Sequence, residues 1–151
     1  MKKILLLFSV MVLCLSFFAG CEDNKAGKEE LNNIGEYDDC VLELKDAVKT
    51  KDEDGVKIVR VKATFTNNNQ EPLSAASVFS VRAFQNDKEL KDISDIVEKD
   101  ANAMVDIKNG KKINVSFAFK LDSDKEVEVF ITSSGLDDDT LGKKVYFSKK
   151  K

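Results

Sequence analysis

From Val59 to Thr66 the chain alternates apolar and polar residues without a break: Val59, Val61, Ala63 and Phe65 against Arg60, Lys62, Thr64 and Thr66. A period of two places every other side chain on one face of an extended backbone, so the segment fits a strand with one buried and one wetted face, and no helix. The pattern recurs along the chain. Cys40, Leu42 and Leu44 share one phase; in a strand read from Val78 to Gln85, Phe79, Val81 and Ala83 do the same and their neighbours Ser80, Arg82 and Phe84 face the other way. Ile113, Val115, Phe117, Phe119 and Leu121 form a second strong alternation, followed by Val127, Val129 and Ile131 and by a short Val145, Phe147 pair.

Turn chemistry punctuates these runs. Lys51-Asp52-Glu53-Asp54-Gly55 offers an Asp-Gly step, which suits the positive φ angles of a tight hairpin. Asn67-Asn68-Asn69-Gln70-Glu71-Pro72 ends the Val59 strand, because asparagine tolerates turn geometry and Pro72 cannot join a central ladder. Asn86-Asp87, Asn109-Gly110, Asp122-Ser123-Asp124 and Ser133-Ser134-Gly135 close the remaining segments. Between residues 88 and 97, Leu90, Ile93, Ile96 and Val97 recur at helical spacing; a short helix and an irregular edge crossing both fit. Six or seven short strands with turns at this spacing predict an all-β fold, an antiparallel β-sandwich of the immunoglobulin-like kind. Its core should hold Val59, Val61, Phe65, Phe79, Val81, Val115, Phe117, Phe119, Val129 and Ile131.

The first twenty residues stand apart. Lys2 and Lys3 precede an apolar run from Ile4 to Phe18, and then comes Phe18-Ala19-Gly20-Cys21. A charged start, a short apolar stretch and small residues before a cleavage point define a secretory leader. The final four residues resemble the lipobox of bacterial lipoproteins, with Phe18 where that pattern usually carries leucine. The resemblance implies that Cys21 receives diacylglycerol and becomes the new N-terminus. Two acyl chains suffice for stable anchoring. Residues 21–37 are polar and lack periodicity, and read as a flexible tether reaching on the order of 20–25 Å. The expected organisation is therefore a signal peptide over 1–20, a tether over 21–37 and one domain over 38–149, lying outside the cell membrane.

Composition removes several function classes. Arg60 and Arg82 are the only arginines, and Asp and Glu outnumber Lys and Arg by 27 to 24, so a nucleic-acid binder is not expected. Histidine is absent, which excludes Ser-His and Cys-His nucleophilic pairs and the usual zinc sites. No S-x-x-K stands at a helix start, and the glycines are too scattered for a phosphate loop. Once Cys14 leaves with the leader and Cys21 takes lipid, Cys40 has no partner for an internal disulfide, and is expected to pack as a small apolar residue. The carboxylate runs Asp52-Glu53-Asp54 and Asp137-Asp138-Asp139 are the metal candidates. Both lack the D-x-D-x-D-G spacing that aims ligands inward, so solvated loops are the expectation and no cofactor is. The Lys149-Lys150-Lys151 tail could meet anionic lipid or wall polymer.

Two segments, VKATFTNNNQEPLSAASVFSVRAFQNDKEL and IKNGKKINVSFAFKLDSDKEVEVFI, carry a further resemblance. Their pattern is a strand ending in Thr66-Asn67-Asn68, then Ala83-Phe84-Gln85-Asn86-Asp87-Lys88-Glu89-Leu90, then Ile107-Lys108-Asn109-Gly110 and Val115 to Leu121. It resembles a family of Gram-positive bacterial lipoproteins of unknown function with a telokin-like, immunoglobulin-like domain. The resemblance implies the sandwich over roughly residues 38–149 and no catalytic residue. Asp87 stands where the family has glycine, which bears on the turn at that point.

Three functions compete on this reading. A non-enzymatic, lipid-anchored module binding a surface protein or cell-wall component fits the sandwich, the anchor and the missing catalytic groups. A transport-accessory lipoprotein binding a small molecule or ion is weakened by size, since closing around a ligand normally takes two lobes. An enzyme or protease inhibitor is weaker again, because the chain has no tryptophan and no Gly-rich inhibitory loop. The long polar loop from Asn67 to Ser77 is the first place to look for a contact surface.

Overall fold

The computed structural model describes residues 32–97, 102–135 and 139–148. They form two antiparallel four-stranded sheets packed face to face. The strands are β1 (Ile34–Tyr37), β2 (Cys40–Lys51), β3 (Lys57–Asn67), β4 (Phe79–Gln85), β5 (Lys88–Glu89), β6 (Lys111–Lys120), β7 (Val127–Ser133) and β8 (Thr140–Tyr146). One sheet has the order β1-β2-β3-β6 and the other β5-β4-β7-β8. Two single-turn helices, α1 (Ala75–Val78) and α2 (Ser94–Val97), lie between strands. The expected sandwich is thus the fold.

The alternation read from the sequence sets the register. Val59, Val61, Ala63 and Phe65 pair across to Phe119, Phe117, Val115 and Ile113, and Val81 and Ala83 pair to Ile131 and Val129. All ten residues expected in the core are buried, and Phe65 meets Phe79 edge-on across the two sheets, with ring centroids 6.2 Å apart. Cys40 packs in the same core.

Four features differ from the expectation, one being the last strand: it runs Thr140–Tyr146 and buries Tyr146, while Val145 and Phe147 are exposed. Ile34–Tyr37, assigned to the tether, forms β1 and pairs with Cys40–Glu43 through a two-residue turn in which Asp38 and Asp39 both take positive φ. The strand expected from Val78 begins at Phe79, because Ser74 caps a helical turn: its hydroxyl accepts the Ser77 N–H while Ser77 Oγ accepts the Ser74 N–H. The segment 88–97 is neither one helix nor one strand. Leu90 enters the main core, the chain crosses to the other sheet, and Ile93 joins Ile58, Ala118 and Val56 in a second small core on that sheet's outer face. There Ile93 N–H donates to Ala118 O and Lys120 N–H to Lys91 O, each at 2.8–2.9 Å, which covers part of the β6 edge.

Along one side the two sheets touch through β1 and β8. Lys143 N–H donates to Asn32 O at 2.8 Å. The approach is close enough to require glycine: a Cβ on Gly142 would lie 2.8 Å from Ile34 O, and one on Gly35 would lie 2.7 Å from the Ile131 Cγ2 methyl. Below this seam β2 carries a bulge between Leu44 and Ala47. The freed Lys45 carbonyl accepts from the Tyr146 hydroxyl at 3.1 Å and from Lys144 Nζ.

Candidate functional site

Two buried amides hold the ends of the sandwich. Asn67 follows Phe65 in the apolar phase of β3 and is fully buried. Its Nδ2 donates to Glu71 O (2.8 Å) and Ile107 O (2.7 Å), and its Oδ1 accepts from Asn69 N (2.8 Å) and the Cys40 thiol (3.6 Å). Its backbone oxygen accepts from Gly110 N at 2.7 Å, and Gly110 takes φ +70°. Asn109 Nδ2 donates in turn to Asn68 O and Asn69 O. The Asn67–Ser77 loop is therefore locked to the 107–110 loop by a network internal to the chain. At the opposite end Gln85, also buried, accepts from Asp122 N and Ser123 N and donates to the Ser123 and Lys125 carbonyls, all at 3.1–3.2 Å. These groups are satisfied by the fold and are not offered to a ligand.

The sequence candidates disperse in the same way. Asp52 Oδ1 accepts the Asp54 and Val56 N–H groups, so that carboxylate builds its own hairpin. Asp139 is exposed just before β8, while Cys21, Asp137, Asp138 and the Lys149–Lys151 tail lie outside the described residues. Among the described residues no group of three or more acidic or cysteine side chains could hold a metal ion. Burial pushes the Cys40 thiol up, away from the thiolate that reactive cysteines need. Asn86 and Asp87 both adopt positive φ, so the turn keeps its two-residue geometry without the glycine.

The outward face of the β5-β4-β7-β8 sheet is different. Register aligns Glu89, Phe84, Glu128 and Val145 in one row, Arg82, Phe130 and Lys143 in the next, and Ser80, Thr132 and Thr140 in a third. The Phe84 and Phe130 rings meet edge-to-face, with centroids 5.4 Å apart. The Arg82 guanidinium lies 5.4 Å from the Phe84 centroid and grips Glu89 through two bonds of 2.8 and 2.7 Å. That grip holds the Glu89 carboxyl below its ordinary range. Lys143 Nζ stands 4.8 Å over Phe130 and pairs with Glu128. Around the rings lies an open hollow of about 310 Å³ bounded by Arg82, Phe84, Phe130 and Thr132. Two half-buried phenylalanines in the polar phase of their strands were the available sequence signal. The alternation places Phe84 on this face; Phe130, between Val129 and Ile131, stands in the same polar phase of its own strand. The chemistry on offer is apolar contact flanked by paired charges and hydroxyls, with no nucleophile held by a base.

The fold thus presents a sandwich built on two satisfied amide clamps, with one aromatic and charged sheet face turned outward. Residues 21–133 match the model of a family described as "Domain of unknown function (DUF5067)", and the chain belongs to that family. The fold is shared with a "putative lipoprotein" from Staphylococcus aureus, at 18% identity over 78% of this chain and 90% of that one, TM-score 0.59. A protein from Enterococcus faecalis is similar at 17% identity over 78% and 91% of the two chains, TM-score 0.54. A second "putative lipoprotein", from Bacillus subtilis, is similar at 16% identity over 78% of this chain, TM-score 0.53; the match spans only 38% of that longer protein. No curated protein sequence matches the chain. Among the described residues no helix is long and apolar enough to cross a membrane.

Proposed function

We propose that this protein is a non-catalytic interaction module, held by diacylglycerol on Cys21 at the extracytoplasmic face of the cell membrane, and that it meets a surface protein or cell-wall component through the outer face of the β5-β4-β7-β8 sheet. The observation that carries the reading is the Phe84–Phe130 pair set between Arg82 and Lys143 on a solvent-facing sheet. Aromatic rings and arginine are the groups that dominate the buried centres of protein interfaces. The anchor draws support from the lipobox at Cys21 and from two structural relatives described as putative lipoproteins. A hollow of about 310 Å³ sits at the small end of ligand pockets and lies open, which does not favour the transport-accessory alternative.

The test has two arms in the living bacterium. Wild type should partition with membranes and carry acyl mass on a chain beginning at Cys21, whereas Cys21→Ala should be released. A photo-crosslinking residue at Phe130 should give one adduct of defined mass, lost on Arg82→Ala, while the same residue at Lys62 on the other sheet should give none. Equal labelling at both positions, or none at Phe130, refutes the assigned surface.

A further inference from the structure

We propose that the end of the sandwich carrying Phe147 and Lys49 lies against the bilayer, with the Phe147 ring seated among the lipid headgroups. This rests on the lipid-anchor reading above. The path of the chain supplies the geometry. β1 climbs from Ile34 towards the Asp38-Asp39 turn, and β8 descends beside it, since Gly35 faces Leu141, Gly142 faces Ile34, and Lys143 bonds Asn32. Followed backwards from Tyr37 to Asn32, the described chain therefore runs towards the end where β8 finishes at Tyr146 and Phe147.

Only residues 22–31 separate Asn32 from Cys21. A coil of ten residues spans roughly 18 Å on average and at most about 35 Å. The twelve-residue strand β2 alone is about 40 Å long. Asn33 bonds Leu44 part-way along β2, so the anchor can reach either end, and it is the direction of β1 that favours the Phe147 end.

What occupies the near end suits an interface. Phe147 is 41% exposed and takes φ +60°, a conformation that a bulky residue rarely adopts and that persists only when its surroundings hold it. Lys49 Nζ lies 4.5 Å from the ring centroid, and the sequence continues from Ser148 into three lysines. An aromatic ring beside an ammonium group is a side-chain set that settles at headgroup level; Lys49 Nζ also donates to the Asp124 and Lys125 carbonyls, and the carboxylates of Asp52, Asp54 and Asp124 share this end. The competing apolar tip, Met104 and Val105, is more exposed, at 74% and 45%, but belongs to the loop beside Asn67 at the far end.

The chain contains no tryptophan, so each introduced one reports alone. Full-length lipidated Phe147→Trp and Met104→Trp would be reconstituted into vesicles of equal parts phosphatidylcholine and phosphatidylglycerol with a headgroup-depth nitroxide quencher, after melting curves show that both variants fold. Trp at 147 should lose roughly half or more of its emission and shift to the blue, as expected of a ring within about 5–10 Å of the headgroup–acyl boundary; Trp at 104 should do neither. If the protein floats with vesicles but 147 is unquenched, or 104 is quenched as strongly, the orientation is wrong. If the protein does not float, the anchor reading itself fails and takes the orientation with it.

Discussion

Asn67 offers the sharpest test of what holds this fold. Removing its side chain as Asn67→Ala strips the partner from the Glu71 carbonyl and the Asn69 N–H, and one of two donors from the Ile107 carbonyl, which keeps the Leu73 N–H. Each orphaned buried group costs about 1–3 kcal/mol. Glu71 is exposed, and Ile107 and Asn69 are half-buried, so water replaces part of what is lost. The sum expected is therefore ~3 kcal/mol rather than the upper limit, a large share of an ordinary domain's 5–15 kcal/mol, about, of total stability. At a urea dependence of roughly 2 kcal/mol per molar, the midpoint followed by circular dichroism should fall by about 1.5 M. The near-isosteric Asn67→Asp sharpens the test. It sets a carboxylate oxygen where Nδ2 now donates to two carbonyl oxygens at 2.8 and 2.7 Å. Burial and these acceptors favour the protonated acid, so the introduced group's folded pKa rises above its unfolded value. With that sign, the variant is least damaged at pH below the unfolded carboxyl range, and stability is lost as pH rises through the folded pKa. The variant should thus be clearly weaker at about pH 8 than at about pH 5, relative to wild type. An Asn67→Asp protein as stable as wild type at both pH values refutes the donor assignment and the loop lock built on it.

Other perturbations follow from the same coordinates. Gly142→Ala drives a Cβ to 2.8 Å from the Ile34 carbonyl, a backbone atom that cannot swing aside; a loss of about 3 kcal/mol is expected, with faster hydrogen exchange at the Lys143 amide that bonds Asn32. Burial, then the nearby Asp46 charge, pushes the Tyr146 hydroxyl above its ordinary range. A raised pKa means that its contribution is full below the unfolded tyrosine value of about 10 and is lost above it. Urea midpoints should fall more steeply at alkaline pH for wild type than for Tyr146→Phe, which also forfeits the bond to Lys45 O, worth about 1 kcal/mol. The Cys40 thiol, 1% exposed, should resist alkylation in the folded domain and react fully in urea, as mass spectrometry would read; rapid labelling of the native protein would contradict its packing.

How far the sequence disclosed this architecture depended on what each segment used for its signal. Strands that bury large side chains at every second position announced themselves, and all ten expected core residues are buried. β1 was invisible because its inward residue is Gly35, chosen by a 2.7 Å approach to Ile131 rather than by hydrophobicity. The helical spacing at Leu90 and Ile93 came from a chain that fills two different cores in succession, which a periodicity cannot distinguish from one turn of helix. Asn67 and Gln85 were legible in one respect only: each is a polar residue in the apolar phase of its strand. Their partners lie as far as 40 and 41 residues along the chain, so only the fold reveals why burial is tolerated. The outward face of the β5-β4-β7-β8 sheet was half legible, through Phe84 on the polar face of β4.

The residues that carry the family resemblance now have a physical account. Asn67 of Thr66-Asn67-Asn68, Gln85 and the Asn86-Asp87 turn, Leu90, Ile107, Asn109 and Gly110 each fix a loop, set a turn or fill the core. Their hydrogen bonds end within the chain, and among the described residues no buried side-chain nitrogen or oxygen lacks a partner. Groups already satisfied by the fold have nothing left to give a ligand. A pattern built from such groups identifies the scaffold and is silent on the partner. On the function proposed above, the partner would be read by what the scaffold leaves outward: Arg82, Phe84, Phe130 and Lys143 on one sheet, and Phe147 at one end. Of these, Arg82, Phe84 and Phe130 fall within the two segments that carry the resemblance, and only Phe84 within its recurring pattern. Substitutions at Phe130 or Phe147 should therefore change what the protein touches while leaving its unfolding midpoint close to wild type, within about 0.5–1 kcal/mol, and substitutions at Asn67 or Gln85 should do the reverse.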